Sequence, residues 1–194
     1  MKAIVNGIEI ECTPSEFMEI TRQHKPLEQP ATTTHDFGDG NGPVPAHQHP
    51  NGGGWVADTA FVADTAFVGK DAVVFVIAKV YDNAKVYGGA RVYGDAKVYG
   101  NAEVFDYAWV FGNAAVYGHA KVFENAKVLS KAKIYGDAKV YGHVWVCDNA
   151  RVFGDAVVCD GAMVYGKAEV CGDAFVHGKA KVCGTVLVNT GVSK

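Results

Sequence analysis

The chain has 194 residues, 49% of them apolar, with 18 Lys and Arg against 21 Asp and Glu and a formal net charge of −3. That length fits one main folded unit with room for a small appendage. The near-balanced charge gives no general attraction to nucleic acid or to a membrane surface, and no run of about eighteen apolar residues exists to span a bilayer.

At the N-terminus, Lys2-Ala-Ile-Val-Asn-Gly-Ile-Glu-Ile-Glu11 alternates apolar and polar residues on both sides of Asn6-Gly7, which predicts a two-residue hairpin. Thr13-Pro14-Ser15-Glu16 has the form of a capping box with proline in the first helical turn, and Phe17, Met18 and Ile20 follow on one side. The spacing predicts a helix over about 14–23. Residues 1–23 therefore read as a hairpin plus helix, too small to be stable alone. Residues 24–53 are rich in His, Pro, Gly, Thr and Gln and show no period; they read as a flexible linker. Met1-Lys-Ala-Ile-Val-Asn-Gly7 lacks the apolar core of a secretion signal. The five cysteines form no CxxC pair, and Cys147 and Cys183 are too far apart to bridge. Free thiols predict a reducing, cytoplasmic setting.

Residues 54–194 carry the dominant signal. Every sixth position from Ala60 to Ala180 is Ala except Val144, and two residues after each comes Val, with Ile134 as the exception. No insertion breaks the phase. Within Ala90-Arg-Val-Tyr-Gly-Asp95, Ala and Val point inward, Arg and Tyr point outward, and Gly-Asp makes a corner. Offsets of two, four and six exclude an α-helix, and Gly is not at every third residue as collagen needs. One short strand cannot bury its Ala/Val face alone. Winding the strands into a coil stacks each Val on the next and makes one core.

The aliphatic residue, turn residues and small residue at Val86, Tyr87-Gly88-Gly89 and Ala90, repeated more than twenty times over about 135 residues, resemble the hexapeptide-repeat family of left-handed parallel β-helices. The resemblance implies an all-β fold: a single-stranded, left-handed parallel β-helix, a triangular prism with about 18 residues per coil. At roughly 4.8 Å per coil, seven to eight coils make a rod on the order of 35 Å long. The sequence departs from that family where Tyr or Phe follows the aliphatic residue instead of a small side chain.

With residues eighteen apart stacked, the exterior becomes a set of columns. Tyr81, Tyr99, Tyr117, Tyr135 and Phe153 form one aromatic ladder, and Tyr87, Phe105, Phe123 and Tyr141 a second. Such ladders stabilise corners, or become buried between the subunits of a homotrimer. Lys127 falls between Trp109 and Trp145, where a cation–π contact and an interaction surface are expected. Lys79, Lys97, Ala115, Lys133 and Arg151 read as a solvated face, with an anion groove as the alternative. Phe61 and Phe67 sit outward near an apolar stretch, Val73–Ile77, which predicts a cover from the N-terminal hairpin or a neighbouring subunit. Asp137, Asp155 and Asp173 share a corner column with His119. They are metal candidates, with calcium or a neighbouring subunit's Lys between them, although solvated turn residues explain them more simply. His47 and His49 are a second candidate pair without a third ligand nearby.

Members of the resembled family include acyltransferases using acetyl-CoA, and these need a His base and a loop closing the site. No loop interrupts the repeat here, and His119 and His143 occupy turn positions without an evident second acid or base. The sequence therefore favours a non-catalytic scaffold without cofactor, acting through protein–protein contacts as a homotrimer, with neither membrane nor nucleic acid as partner. Arrays of this kind behind a short hairpin-helix also resemble phage and prophage proteins. That resemblance implies a virion component, or an inhibitor of a host defence protein in the host cytoplasm. A hexapeptide acyltransferase, and a binder of nucleotides or sugars between subunits, stand as alternatives.

Overall fold

A computed structural model describes residues 33–190, Thr13, and the strands Lys2–Val5, Ile8–Glu11 and Val192–Ser193. The chain divides into two units, Met1–Thr32 and Thr33–Lys194. In the first, β1 (Lys2–Val5) and β2 (Ile8–Glu11) pair antiparallel with Val5 opposite Ile8, the register of a two-residue hairpin. The helix expected over 14–23 lies outside the described residues, as do Cys12 and the first part of the expected linker.

The second unit is a parallel β-solenoid. Two-residue strands enter three sheets in rotation, so each strand pairs with the one three repeats later. Val86 faces Val104 and Val104 faces Val122, each eighteen residues on. Eight strands line up in the sheet from Phe67–Val68 to Val192–Ser193, giving about seven turns. Among the described residues there is no helix, and so none long and apolar enough to cross a membrane.

Why the six-residue unit closes is visible in its backbone. Most repeats send three main-chain N–H groups to carbonyls of the next coil; for one repeat these are Lys79 to Ala96 at 2.9 Å, Tyr81 to Val98 at 3.1 Å and Asn83 to Gly100 at 2.9 Å. The second residue after each inward Val or Ile turns the corner at positive φ, without exception from Val76 to Gly184. Gly88 shows why glycine is common there: at φ 62°, an added Cβ would lie 2.8 Å from the Asp106 nitrogen of the next coil. Where the corner residue is Asp, its carboxylate does a second job. Asp82 accepts the Gly100 N–H at 3.0 Å and Asp160 the Gly178 N–H at 2.9 Å, main-chain donors that the coil-to-coil bonds do not use.

The inward Ala and Val side chains form one continuous cluster from Val56 to Val182, nearly all of it fully buried. Burying each Val contributes on the order of 1.5–3 kcal/mol. Val144, the one break in the Ala column, is buried with the rest.

Residues 33–53 differ from the linker expected there. Strands β3 (Thr34–His35) and β4 (Val44–Gln48) pair antiparallel with each other, and β4 pairs with β5 (Trp55–Ala57), the first strand of the coil. They extend one sheet to ten strands and cover the edge that Trp55–Ala57 would otherwise present. Phe37, Ala46, Ala57 and Phe75 make a small second core under this cover. The apolar stretch Val73–Ile77 is therefore partly covered from within this unit: Phe75 is 3% exposed beneath Phe37.

Candidate functional site

The outward columns form as the eighteen-residue stacking requires. Rings along Tyr81, Tyr99, Tyr117, Tyr135 and Phe153 lie 4.8–4.9 Å apart and nearly parallel. Tyr87, Phe105, Phe123 and Tyr141 repeat the arrangement at the next corner. At about 4.8 Å the parallel rings are offset rather than eclipsed, the arrangement favoured by their quadrupoles. Burial raises the phenol pKa of Tyr81, Tyr99, Tyr117 and Tyr135. Tyr87 is pushed up to about 12, by burial first and then by Glu103, whose carboxylate accepts its hydroxyl at 3.1 Å.

A third ladder runs along the remaining corner. Phe37 of the cover stacks on Phe75 at 4.9 Å, Phe75 on Tyr93 at 4.8 Å, and Tyr93 on Phe111 at 4.9 Å. Sequence columns show Phe75, Tyr93 and Phe111 eighteen apart; Phe37, outside the repeat, could not be placed that way. His35 stacks on Trp55 at 4.4 Å beside it.

Next to this corner lies the most differentiated surface. The strands bearing Arg91, Trp109, Lys127 and Trp145 are successive neighbours in one sheet. Lys127 Nζ sits 4.8 Å from the Trp109 ring centre and 4.8 Å from that of Trp145. Two coils from Lys127, the Arg91 guanidinium lies 5.4 Å from the centres of both Phe75 and Trp109. It also donates to the Phe37 carbonyl, tying the cover to the repeat. Cation and ring thus alternate over four coils, each contact worth about 0.5–2 kcal/mol depending on solvent access. Beside the column, Tyr107, Asn125 and His143 form a second wall, leaving a groove of about 380 Å³ with Trp109, Lys127 and Trp145 opposite. Tyr107 is 68% and Trp145 41% exposed. Lys127 takes one ring face of Trp109 and one of Trp145, and Tyr107 stands open beside them.

The other candidates are dispersed. Phe61 is exposed and Phe67 half-buried on different sheets at the first coil. His119 stands between Asn101, 3.3 Å from its Nε2, and Asp137, 4.0 Å from its Nδ1. His143 lines the groove. His47 pairs with Asp58 at 2.8 Å, while His49 is buried with its Nδ1 near the Asn51 main chain. Each of the two histidines thus has its own neighbour. Among the described residues no three His, Cys, Asp or Glu side chains gather as metal ligands, Asp137, Asp155 and Asp173 included. Burial pushes the Cys147 and Cys159 thiols up, and Cys147, Cys159, Cys171 and Cys183 are all unpaired.

Residues 144–160 are similar to a family described as the YdcK beta solenoid repeat. No curated protein matches the chain, and no solved structure does. Fold and repeat together define a parallel β-solenoid repeat protein.

Proposed function

We propose that the protein is a non-catalytic scaffold acting through protein–protein contacts, and that the cation–aromatic face around Lys127 is its contact surface. One observation carries this reading: Tyr107 and Trp145 stand exposed on a groove in which Lys127 lies between the Trp109 and Trp145 rings. Exposed aromatic anchors on a rigid surface are the residue types that dominate binding energy at interfaces, and holding them in place beforehand lowers the entropy cost of binding. The aromatic corner ladders support a homotrimer, with one ladder lying between copies. A cytoplasmic phage protein, either a virion component or an inhibitor of a host defence protein, is the setting proposed for such a scaffold, by resemblance of the repeats.

The test is capture from host lysate with the full chain, with Tyr107→Ala/Trp145→Ala, and with Lys85→Gln on another face. A specific protein retained by wild type and Lys85→Gln but lost with the double variant supports the reading. Partner capture indifferent to the double variant, or acetyl transfer from acetyl-CoA by the purified protein, contradicts it. Light scattering checks assembly, where a clean monomer removes the trimer.

A further inference from the structure

Two faces of the solenoid carry lysines two coils apart, and they differ in what lies between. On one, Glu103 stands between Lys85 and Lys121 in adjacent strands. Its two carboxylate oxygens lie 3.9 Å from Lys85 Nζ and 3.6 Å from Lys121 Nζ. On the next, Lys97 and Lys133 flank Ala115 in the same register. There the bridging carboxylate is missing. Ala115 is the only small side chain in a column that otherwise runs Phe61, Lys79, Lys97, Lys133, Arg151, Glu169, Leu187. The lost bulk leaves a notch of about 300 Å³, lined by Lys97, Lys133, Asn113, Tyr99, Tyr117 and Asp95 among others. Among the described residues, neither Lys97 nor Lys133 has a carboxylate within ion-pair distance; Glu169, the carboxylate further along the column, is paired with Arg151 at 3.2 Å.

We propose that the Ala115 notch binds a compact oxyanion, phosphate- or carboxylate-bearing, which bridges Lys97 and Lys133 as Glu103 bridges Lys85 and Lys121. The two ammonium groups supply charge, and the Asn113 amide and the Tyr99 and Tyr117 hydroxyls line the same notch as neutral donors. Phenols are protonated at neutral pH in any case, and burial raises these two further. Asp95, the one carboxylate in the lining, repels the anion and offsets part of the charge of the two ammonium groups. The site lies on a different face from the groove at Lys127 and does not depend on what that groove binds.

Calorimetric titration of the full chain at low salt, with pyrophosphate in one arm and citrate in the other, tests this. Wild type should bind at least one of them saturably, one per chain, and the better of the two identifies phosphoryl or carboxylate chemistry. Ala115→Glu places a carboxylate where Glu103 has one, and should weaken binding about tenfold or more while leaving the melting midpoint equal or higher. Lys133→Gln should weaken it about tenfold, and Lys85→Gln should leave it unchanged. No saturable binding of either anion to wild type overturns the proposal, as does binding to Ala115→Glu or Lys133→Gln at wild-type strength.

Discussion

Replacing Val76 by glycine should stabilise the protein, against the usual sign of a point mutation. The corner position is filled by Gly, Asp, Glu or Ser at every other turn from Asp82 to Gly184. Val76 sits there at φ 63°. A β-branched side chain in that region crowds its own carbonyl, at a cost of about 1–2 kcal/mol. The residue is 43% exposed, so removing its side chain gives up little packing. Its carbonyl accepts the Thr59 hydroxyl, a main-chain interaction that glycine keeps. The added freedom of glycine in the unfolded chain costs about 0.4–1 kcal/mol. The net gain is about 0.5–1 kcal/mol, which at this chain length is a rise of about 1–4 °C in the melting midpoint. Val76→Asp should gain as well, by taking the Gly94 N–H as Asp82 takes that of Gly100. Melting curves followed by circular dichroism at one scan rate measure both. Midpoints below wild type for both variants would refute the reasoning.

Val104→Ala, at a fully buried core position, should cost about 2 kcal/mol and lower the midpoint by about 4–8 °C, read in the same assay. Arg91→Ala removes the guanidinium between Phe75 and Trp109 together with its bond to the Phe37 carbonyl. Amide exchange should then accelerate over residues 33–48 while the later coils stay protected. Lys127→Met should change the tryptophan emission and lower stability by about 1 kcal/mol, since two cation–π contacts go. Stability should also fall between pH 10 and about 12. The Tyr87 phenol is raised to about 12 in the fold and ionises near 10 when unfolded. Its contribution is whole below the lower value and lost as pH climbs through the higher. Tyr87→Phe should remove part of that alkaline fall.

The solenoid was legible because its core uses two residue types in unbroken phase. Ala and Val at fixed offsets can face only one interior, and the phase then places Tyr81 over Tyr99 and Lys127 between two indoles. The cover was not legible. Strands Thr34–His35 and Val44–Gln48 are short, and Pro45 argues against a strand. Their stability comes from pairing with Trp55–Ala57 and from Phe37 on Phe75, contacts that local pattern does not encode. A signal was present nonetheless: Gly38-Asp39-Gly40-Asn41-Gly42, with all three glycines at positive φ, joins the two strands. The groove was half legible. Trp109, Lys127 and Trp145 share a column, whereas Tyr107, Asn125 and His143 belong to a neighbouring turn column that reads as ordinary corner chemistry.

Spin labels on the outer face report the stacking most directly. In a background with the five native cysteines replaced, nitroxides at positions 97 and 115 belong to adjacent strands of one sheet, whereas position 103 lies in another sheet. The 97/115 pair should show strong spin–spin broadening at roughly one inter-strand spacing, about 5 Å between backbones, and the 103/115 pair should not. Equal spectra from the two pairs would contradict the eighteen-residue coil, and with it every ladder, groove and notch that depends on that register.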